Sequence, residues 1–334
     1  MLFLGKHLPA PDLLTFSAMA VSHTHTEDWL RYNPFYSRWP KSDGTQITID
    51  ARYTSFPAQT FIVPAANASV SLEPAFWGTH SLRQHEWHHT VFVKVALSAD
   101  PTLVRYLDVL TDCRNLLTLF VGEPVQARTI TAFLDRPTGE GEESDPEKVQ
   151  VFFGQRAGLQ PDEVNFTDMI VTYPAVRDRL GDIVTNWLTK ADELRTVAEL
   201  YFGTLYNKGL YVRFQFLRLA QAVECYSRLR LHPPDNKGFR ARMDELLGTF
   251  QPATVTLICR DAGYFAEAVV DTRNYFTQYL DKHKAKARDG ADLYMLTRRL
   301  WLLLTILLFK EVGLDEADIV RLLGRAASDA DGMA

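Results

Sequence analysis

The sequence predicts an α+β protein: a β-rich amino-terminal domain over residues 1–175, followed by an all-α helical bundle over residues 176–334. Three observations lead there. Period-two alternation crowds the first half, apolar stripes near 3.6 spacing fill the second, and 334 residues suit about two domains of roughly 150 each. With 46% hydrophobic and 23% charged residues, the chain has the composition of a folded protein, which excludes disorder over most of its length.

In the first half, residues 46–53 (QITIDARY) alternate apolar and polar side chains, and residues 60–63, 69–73 and 86–97 do so less cleanly. Pro34, Pro40, Pro57, Pro64 and Pro74 punctuate these strands. Residues 13–21 (LLTFSAMAV) loosely mimic an export signal. Pro9, Pro11 and Asp12 precede them, however, and Lys6 is the only lysine or arginine there, so an ordinary first strand or helix is expected. Residues 102–120 form a helix, with Leu103, Tyr106, Leu107, Leu110, Cys113 and Leu117 on one stripe. Strands are expected again at 125–134 and 149–153, separated by an exposed acidic loop at 136–147 (RPTGEGEESDPE).

The second half reads as five or six helices with short connections. The stripe of residues 176–202 includes Leu180, Ile183, Trp187 and Leu194. A second helix at 211–231 turns Phe214, Leu217, Ala220, Ala222, Val223 and Leu229 to a core, and His232-Pro233-Pro234 stops it. Shorter patterns follow at 239–247 and 253–278, then a long helix at 291–312 with Gly313 as its cap, then a last helix at 315–323. Residues 300–309 (LWLLLTILLF) are apolar for only ten positions, against about 20 for a membrane span, so they read as a buried core helix.

A formal net charge of -5 sets up no global positive field, so any nucleic-acid site must be a local patch. Cys113, Cys225 and Cys259 are widely spaced and contain no CxxC pair. That argues against a disulfide scaffold or zinc ribbon and fits a reducing, cytoplasmic compartment. His23 and His25 lie in HTHTED, an ordinary polar stretch. His85 to His89 (HEWHH) match HExxH letter for letter, a zinc motif that needs a helix. The residues after it read as a strand, which leaves polar side chains at the start of a strand and no metal. GxGxxG, GxxxxGK[ST] and GxSxG are absent.

The best candidate for chemistry is residues 262–288 (AGYFAEAVVDTRNYFTQYLDKHKAKAR). Phe265, Val269 and Phe276 can pack inward, while Asp271, Thr272, Arg273 and Asn274 form a polar cluster. Lys282, Lys284, Lys286 and Arg288 then put four cations among seven residues. Such a run is ordinarily a solvated helix end that complements the dipole. It also suits a phosphate-binding edge, with Arg273 as a forked donor and the lysines following a nucleic-acid backbone.

Residues 269–279 (VVDTRNYFTQY) resemble the signature of ApeA-like HEPN domains, which runs as an apolar pair, TRN, two hydrophobic residues, Thr, His and Tyr. Residues 216–228 (FLRLAQAVECYSR), with Glu224 shortly before an arginine, resemble that group's early core helix. Residues 239–247 resemble its short amphipathic helix, and residues 300–317 its closing helix and turn. The β-rich half, with LLTLFVGEPV at 116–125, resembles the ApeA-type amino-terminal domain. The resemblance implies an all-α HEPN-type bundle in a metal-independent RNase without cofactors. It also implies an effector of anti-phage abortive infection whose partners are RNA (tRNA among the candidates), a second copy of the bundle and a phage-derived trigger, with no membrane. Its amino-terminal domain would be the sensor or regulator. In that scheme the ribose 2′-hydroxyl attacks the adjacent phosphodiester, Arg273 holds the phosphate, Asn274 supports it, and a histidine moves the proton.

At the histidine position this chain has Gln278, whose amide can hydrogen-bond but cannot exchange a proton near neutral pH. On a continuous helix His283 sits about 15 Å beyond Arg273 and is turned by roughly 80°. Three readings follow: a chain end that swings His283 in, a naturally inactive member, or a replaced histidine. The expected site is therefore Arg273, Asn274 and Gln278, flanked by the RNA-binding cations Lys282, Lys284, Lys286 and Arg288. The alternative is a catalytically silent RNA-binding or dimerisation module.

Overall fold

The computed structural model describes residues 2–4, 15–38, 41–42, 47–48, 50–81, 84–134, 146–152, 164–279 and 281–331. It divides into two compact units, residues 1–188 and 189–334. In chain order the first contains β1 (Leu2–Leu4), β2 (Ala18–His23), α1 (Thr26–Leu30), β3 (Phe35–Ser37), β4 (Lys41–Ser42), β5 (Ile47–Thr48), β6 (Ala51–Tyr53) and β7 (Gln59–Val63). It continues with β8 (Ala68–His80), β9 (His85–Leu97), α2 (Leu103–Val121), β10 (Ala127–Leu134), β11 (Glu147–Phe152) and α3 (Tyr173–Val176). The boundary falls inside α4 (Leu180–Leu205), after which come α5 (Val212–Leu231), α6 (Phe239–Gly248), α7 (Pro252–Ile258), α8 (Ala262–Gln278), α9 (Asp281–Lys284), α10 (Gly290–Glu311) and α11 (Glu316–Asp331). The expected α+β class, sheet first and helices after, is the one observed.

A seven-stranded antiparallel sheet, ordered β1-β11-β10-β2-β9-β8-β7, forms the first unit. Its inward positions on β8 and β9 are Val70, Leu72, Val91, Val93 and Val95, all buried as period-two alternation requires. Helix α2 packs on β2 and β9. The Thr102 side chain caps its start by accepting from the Arg105 N–H, and Gly122 ends it at φ 82, where a β-carbon would be strained. Tyr106 lies fully buried on α2 and donates to the Phe16 carbonyl at 2.9 Å.

Three expectations change here. The alternating run 46–53 is two short strands, because β5 pairs with β4 while β6 pairs with β3, so the alternation persists through a change of partner. Strand β8 runs through Pro74 to His80. Its pairing with β7 ends at Leu72, and beyond that point no strand among the described residues pairs on the β7 side, where a strand tolerates proline. The HTHTED stretch is not ordinary surface: Ser22, His23, Thr24, His25 and Thr26 are all buried. Glu27 serves that knot, accepting from the Thr90 hydroxyl at 2.7 Å, the Val91 N–H at 3.1 Å and the Arg128 guanidinium at 3.1 Å. Burial, helped by Arg114 and Arg128, lowers the His23 pKa to about 3, so its imidazole is neutral. The acidic loop expected at 136–147 lies outside the described residues as far as 145, and Glu147 already belongs to β11. HEWHH, as expected, opens a strand, β9, where alternate side chains share a face and the helical zinc geometry is unavailable.

Apolar stripes explain the helical unit. Leu300, Leu303, Leu304, Ile306, Leu307, Leu308 and Phe309 of α10 are all buried, and α10 packs against α5, α7, α8 and α11. No described helix is long and apolar enough to cross a membrane. Gly313, at φ 93, ends α10, with its own N–H on the Lys310 carbonyl and the Leu314 N–H on the Phe309 carbonyl, each at 3.0 Å. The run at 253–278 is two helices, because Asp261 caps a new start by accepting from the Tyr264 N–H. Phe214 is 52% exposed, and Phe216 takes the core position expected for it. The last helix extends to Asp331 rather than 323.

One buried carboxylate ties three helices. Glu311 accepts from Arg230 (2.6 and 3.0 Å), Tyr226 (2.7 Å) and Lys190 (3.0 Å). Burial raises its pKa, but the hydrogen bonds from Arg230, Tyr226 and Lys190 outweigh that and hold it below the ordinary carboxylate value. A carboxyl depressed in the folded state stabilises above its unfolded pKa, and that contribution is lost as pH falls through the folded value. Glu311→Gln is therefore expected to cost about 2 kcal/mol at neutral pH, less than the roughly 3–5 kcal/mol of a fully buried pair because Arg230 keeps some solvent contact. Urea titration should show the gap between wild type and variant closing below the carboxylate range. A gap independent of pH would contradict this.

Candidate phosphate site

Helices α5, α6 and α8 pack on one another and bring three charged side chains together. Glu224 of α5 sits between two guanidiniums: its Oε2 accepts from Arg273 Nη2 at 2.9 Å and its Oε1 from Arg242 Nη2 at 2.5 Å. The Phe239 ring lies against both arginines, 5.8 Å from each guanidinium carbon. Arg242 is 1% exposed, and its Nε and Nη1 have no partner among the described residues. The Arg273 side chain is 31% exposed, and its Nη1 donates to Asn274 Oδ1 at 3.3 Å.

The charge count decides what this arrangement can do. One carboxylate neutralises one of two guanidiniums, which leaves a surplus positive charge. Burial confines Arg242, so the surplus meets solvent at Arg273, a forked donor suited to a phosphate. Arg273 and Asn274, predicted together, are in contact. Gln278, one turn beyond Asn274, makes no hydrogen bond to either among the described residues and lies exposed in the last turn of α8.

The chain beyond Gln278 departs from the continuous helix of the sequence analysis. Helix α8 stops there, Tyr279 adopts a left-handed conformation (φ 52), and the Tyr279 N–H closes the turn on the Tyr275 carbonyl at 2.7 Å. The chain then folds back along α8. His283 Nδ1 lies 3.0 Å from Asp271 Oδ1, and the Arg288 N–H donates to the Thr272 hydroxyl at 3.0 Å.

This reversal divides the four cations. Lys286 pairs with Glu267 at 3.0 Å, and Arg288 lies over the Tyr264 ring and donates to its hydroxyl. Lys282 and Lys284 are exposed, with no ion pair among the described residues. The cluster is thus half internal clamp and half solvent-facing charge.

Arg242 was missed in sequence, although a signal existed: it stands on the buried face of α6 with Phe239, Met243 and Leu246, where a charge needs a partner. The Asp271–His283 contact had no local signal, since it depends on the reversal. For metals, no group of three His, Cys, Asp or Glu side chains among the described residues is placed to hold an ion.

Comparison with known proteins agrees with the two units. The family model described as ApeA N-terminal domain 1 matches residues 1–187, and the one described as Apea-like HEPN matches residues 217–318. No curated protein and no solved structure matches the chain. A sheet domain matched over more than half the chain, followed by a helical domain of the HEPN type, establishes that the chain belongs to the ApeA-like HEPN family.

Proposed function

We propose that this protein is an RNA-directed effector of anti-phage abortive infection that follows the metal-independent HEPN ribonuclease scheme, attenuated by Gln278. Family membership supports the anti-phage effector role of HEPN type. The observation that carries the RNA reading is the Glu224 carboxylate shared by Arg242 and Arg273, which leaves a positive charge beside solvent. Arg273 holds the scissile phosphate and stabilises its growing charge, and Asn274 holds the guanidinium. A phosphate needs only donors, so binding survives at full strength, whereas the proton transfer loses the side chain the family places at position 278. The exposed amide of Gln278 also favours a second reading, a silent RNA-binding and dimerisation module.

General acid–base catalysis contributes about 10² to 10⁴ in rate. Wild-type protein is therefore expected to bind RNA and cleave it slowly. Gln278→His should accelerate cleavage toward that factor, leave 2′,3′-cyclic phosphate ends and be indifferent to EDTA, and adding Arg273→Ala should abolish it. Gel analysis of total RNA reads all of these. RNA binding with no cleavage by either wild type or Gln278→His would select the silent module.

Because Lys286 is paired with Glu267 and Arg288 is held against the Tyr264 ring and hydroxyl, Lys282 and Lys284 are expected to neutralise most of the RNA backbone phosphates at this edge. The double change Lys282→Ala/Lys284→Ala should flatten the log–log salt dependence of RNA binding by about 0.7 for each phosphate left without its cation. The same change at Lys286 and Arg288 should flatten it less. Equal slopes for the two double variants would contradict this division.

Arg273 and position 278 are about 140° apart around α8, so one helix cannot aim both at one phosphate. A homodimer through the helical unit, with the two motifs at a shared groove, resolves this. Light scattering at micromolar concentration is expected to give twice the chain mass, and a monomer would count against it.

A further inference from the structure

We propose that His283, oriented by Asp271, is the proton-transfer group of this chain, standing in for the side chain missing at position 278; this rests on the ribonuclease reading above. The reversal at Tyr279 makes it available. His283 is held on α8 by Asp271 Oδ1 at 3.0 Å, with side chains 18% and 14% exposed. Contacts just after His283 fix the returning segment: Lys286 reaches Glu267 at 3.0 Å and Asp271 Oδ2 at 3.9 Å, and the Arg288 N–H reaches the buried Thr272 hydroxyl at 3.0 Å.

The chemistry follows from the contact. In the tautomer that donates from Nδ1 to the Asp271 carboxylate, Nε2 presents the lone pair that a general base requires. A carboxylate on the far nitrogen also stabilises the imidazolium that forms. His232, the other histidine of the helical unit, ends α5 in a left-handed conformation and has no carboxylate partner among the described residues.

Position on the helix supports the assignment. Asp271 and Gln278 are seven residues apart, within about 20° around α8, and Asn274 lies about 60° away. The pair therefore occupies the face of position 278, about 10 Å nearer the helix start. Arg273 is turned about 160° from Asp271, so the two act on one phosphate across the homodimer, His283 from one copy and Arg273 from the other. In the step, the ribose 2′-hydroxyl gives its proton to Nε2 of His283 as the 2′-oxygen bonds to phosphorus. The P–O5′ bond breaks, its electron pair leaves on the 5′-oxygen, which takes a proton from water, and the imidazolium returns its proton to solvent.

The test measures formation of 2′,3′-cyclic phosphate ends in total RNA by wild type, His283→Gln, His283→Ala, Gln278→His and an equimolar mixture of His283→Gln with Arg273→Ala. RNA binding by filter retention is followed in parallel. We expect slow wild-type cleavage, a loss of about 10²-fold or more in His283→Gln with unchanged binding, and recovery of His283→Ala by added imidazole. The mixture should recover about a quarter of wild-type activity, because half the dimers would be mixed and each would hold one intact site. Cleavage by His283→Gln at the wild-type rate overturns the inference and leaves the ribonuclease reading standing. So does cleavage by Gln278→His alone. Abolished cleavage with no imidazole rescue assigns His283 a structural role and also overturns it, as does a mixture that stays inactive. If neither wild type nor Gln278→His cuts RNA, inference and reading fall together.

Discussion

The helical unit depends on Glu224. Arg242 is buried, and a buried guanidinium without a carboxylate is a cost no apolar packing recovers. Arg273 approaches from another helix carrying the same charge, so the three helices can close only around a shared anion. Glu224 supplies it, with one oxygen for each arginine, and the Phe239 ring lies against both. The interaction that closes the junction of α5, α6 and α8 is also the one that leaves charge uncompensated at the surface. Fold and site are here a single electrostatic arrangement.

What could be read from the sequence follows the range of the forces involved. Helix α10 was legible because ten consecutive apolar residues can only be buried, and α2 because its stripe, cap and terminal glycine are local. Arg273 and Asn274 were legible through a motif, as adjacent residues on one helix. The knot at Ser22 to Thr26 was not, because its burial depends on Glu27 meeting Thr90 and Arg128, far along the chain. The extension of β8 through Pro74 depended on where β7 stops, and the return of His283 on one left-handed residue, Tyr279. Each of these three misses is a non-local partner or a single backbone torsion, and neither leaves a periodic trace.

Helix α8 carries different chemistry on its two flanks. Arg273 turns to Glu224 and the cationic junction, whereas Asp271 and Glu267 collect the basic segment that folds back. The run of four cations, uniform as a string of letters, is therefore unequal in space. Asp271 holds His283 and Glu267 holds Lys286, so the acidic residues of α8 shape the basic surface as much as the basic residues do.

The continuous burial of residues 302–309 of α10 bears on how the chain is made. A helix this apolar is hazardous while exposed, since it can seek any hydrophobic surface. Its packing partners α5, α7 and α8 all precede it in the sequence, and Tyr201 of α4, which shares a hydrogen bond with Thr305 at 2.7 Å, precedes it too. During ribosomal synthesis those surfaces emerge first, so the most aggregation-prone segment enters a groove that is already waiting.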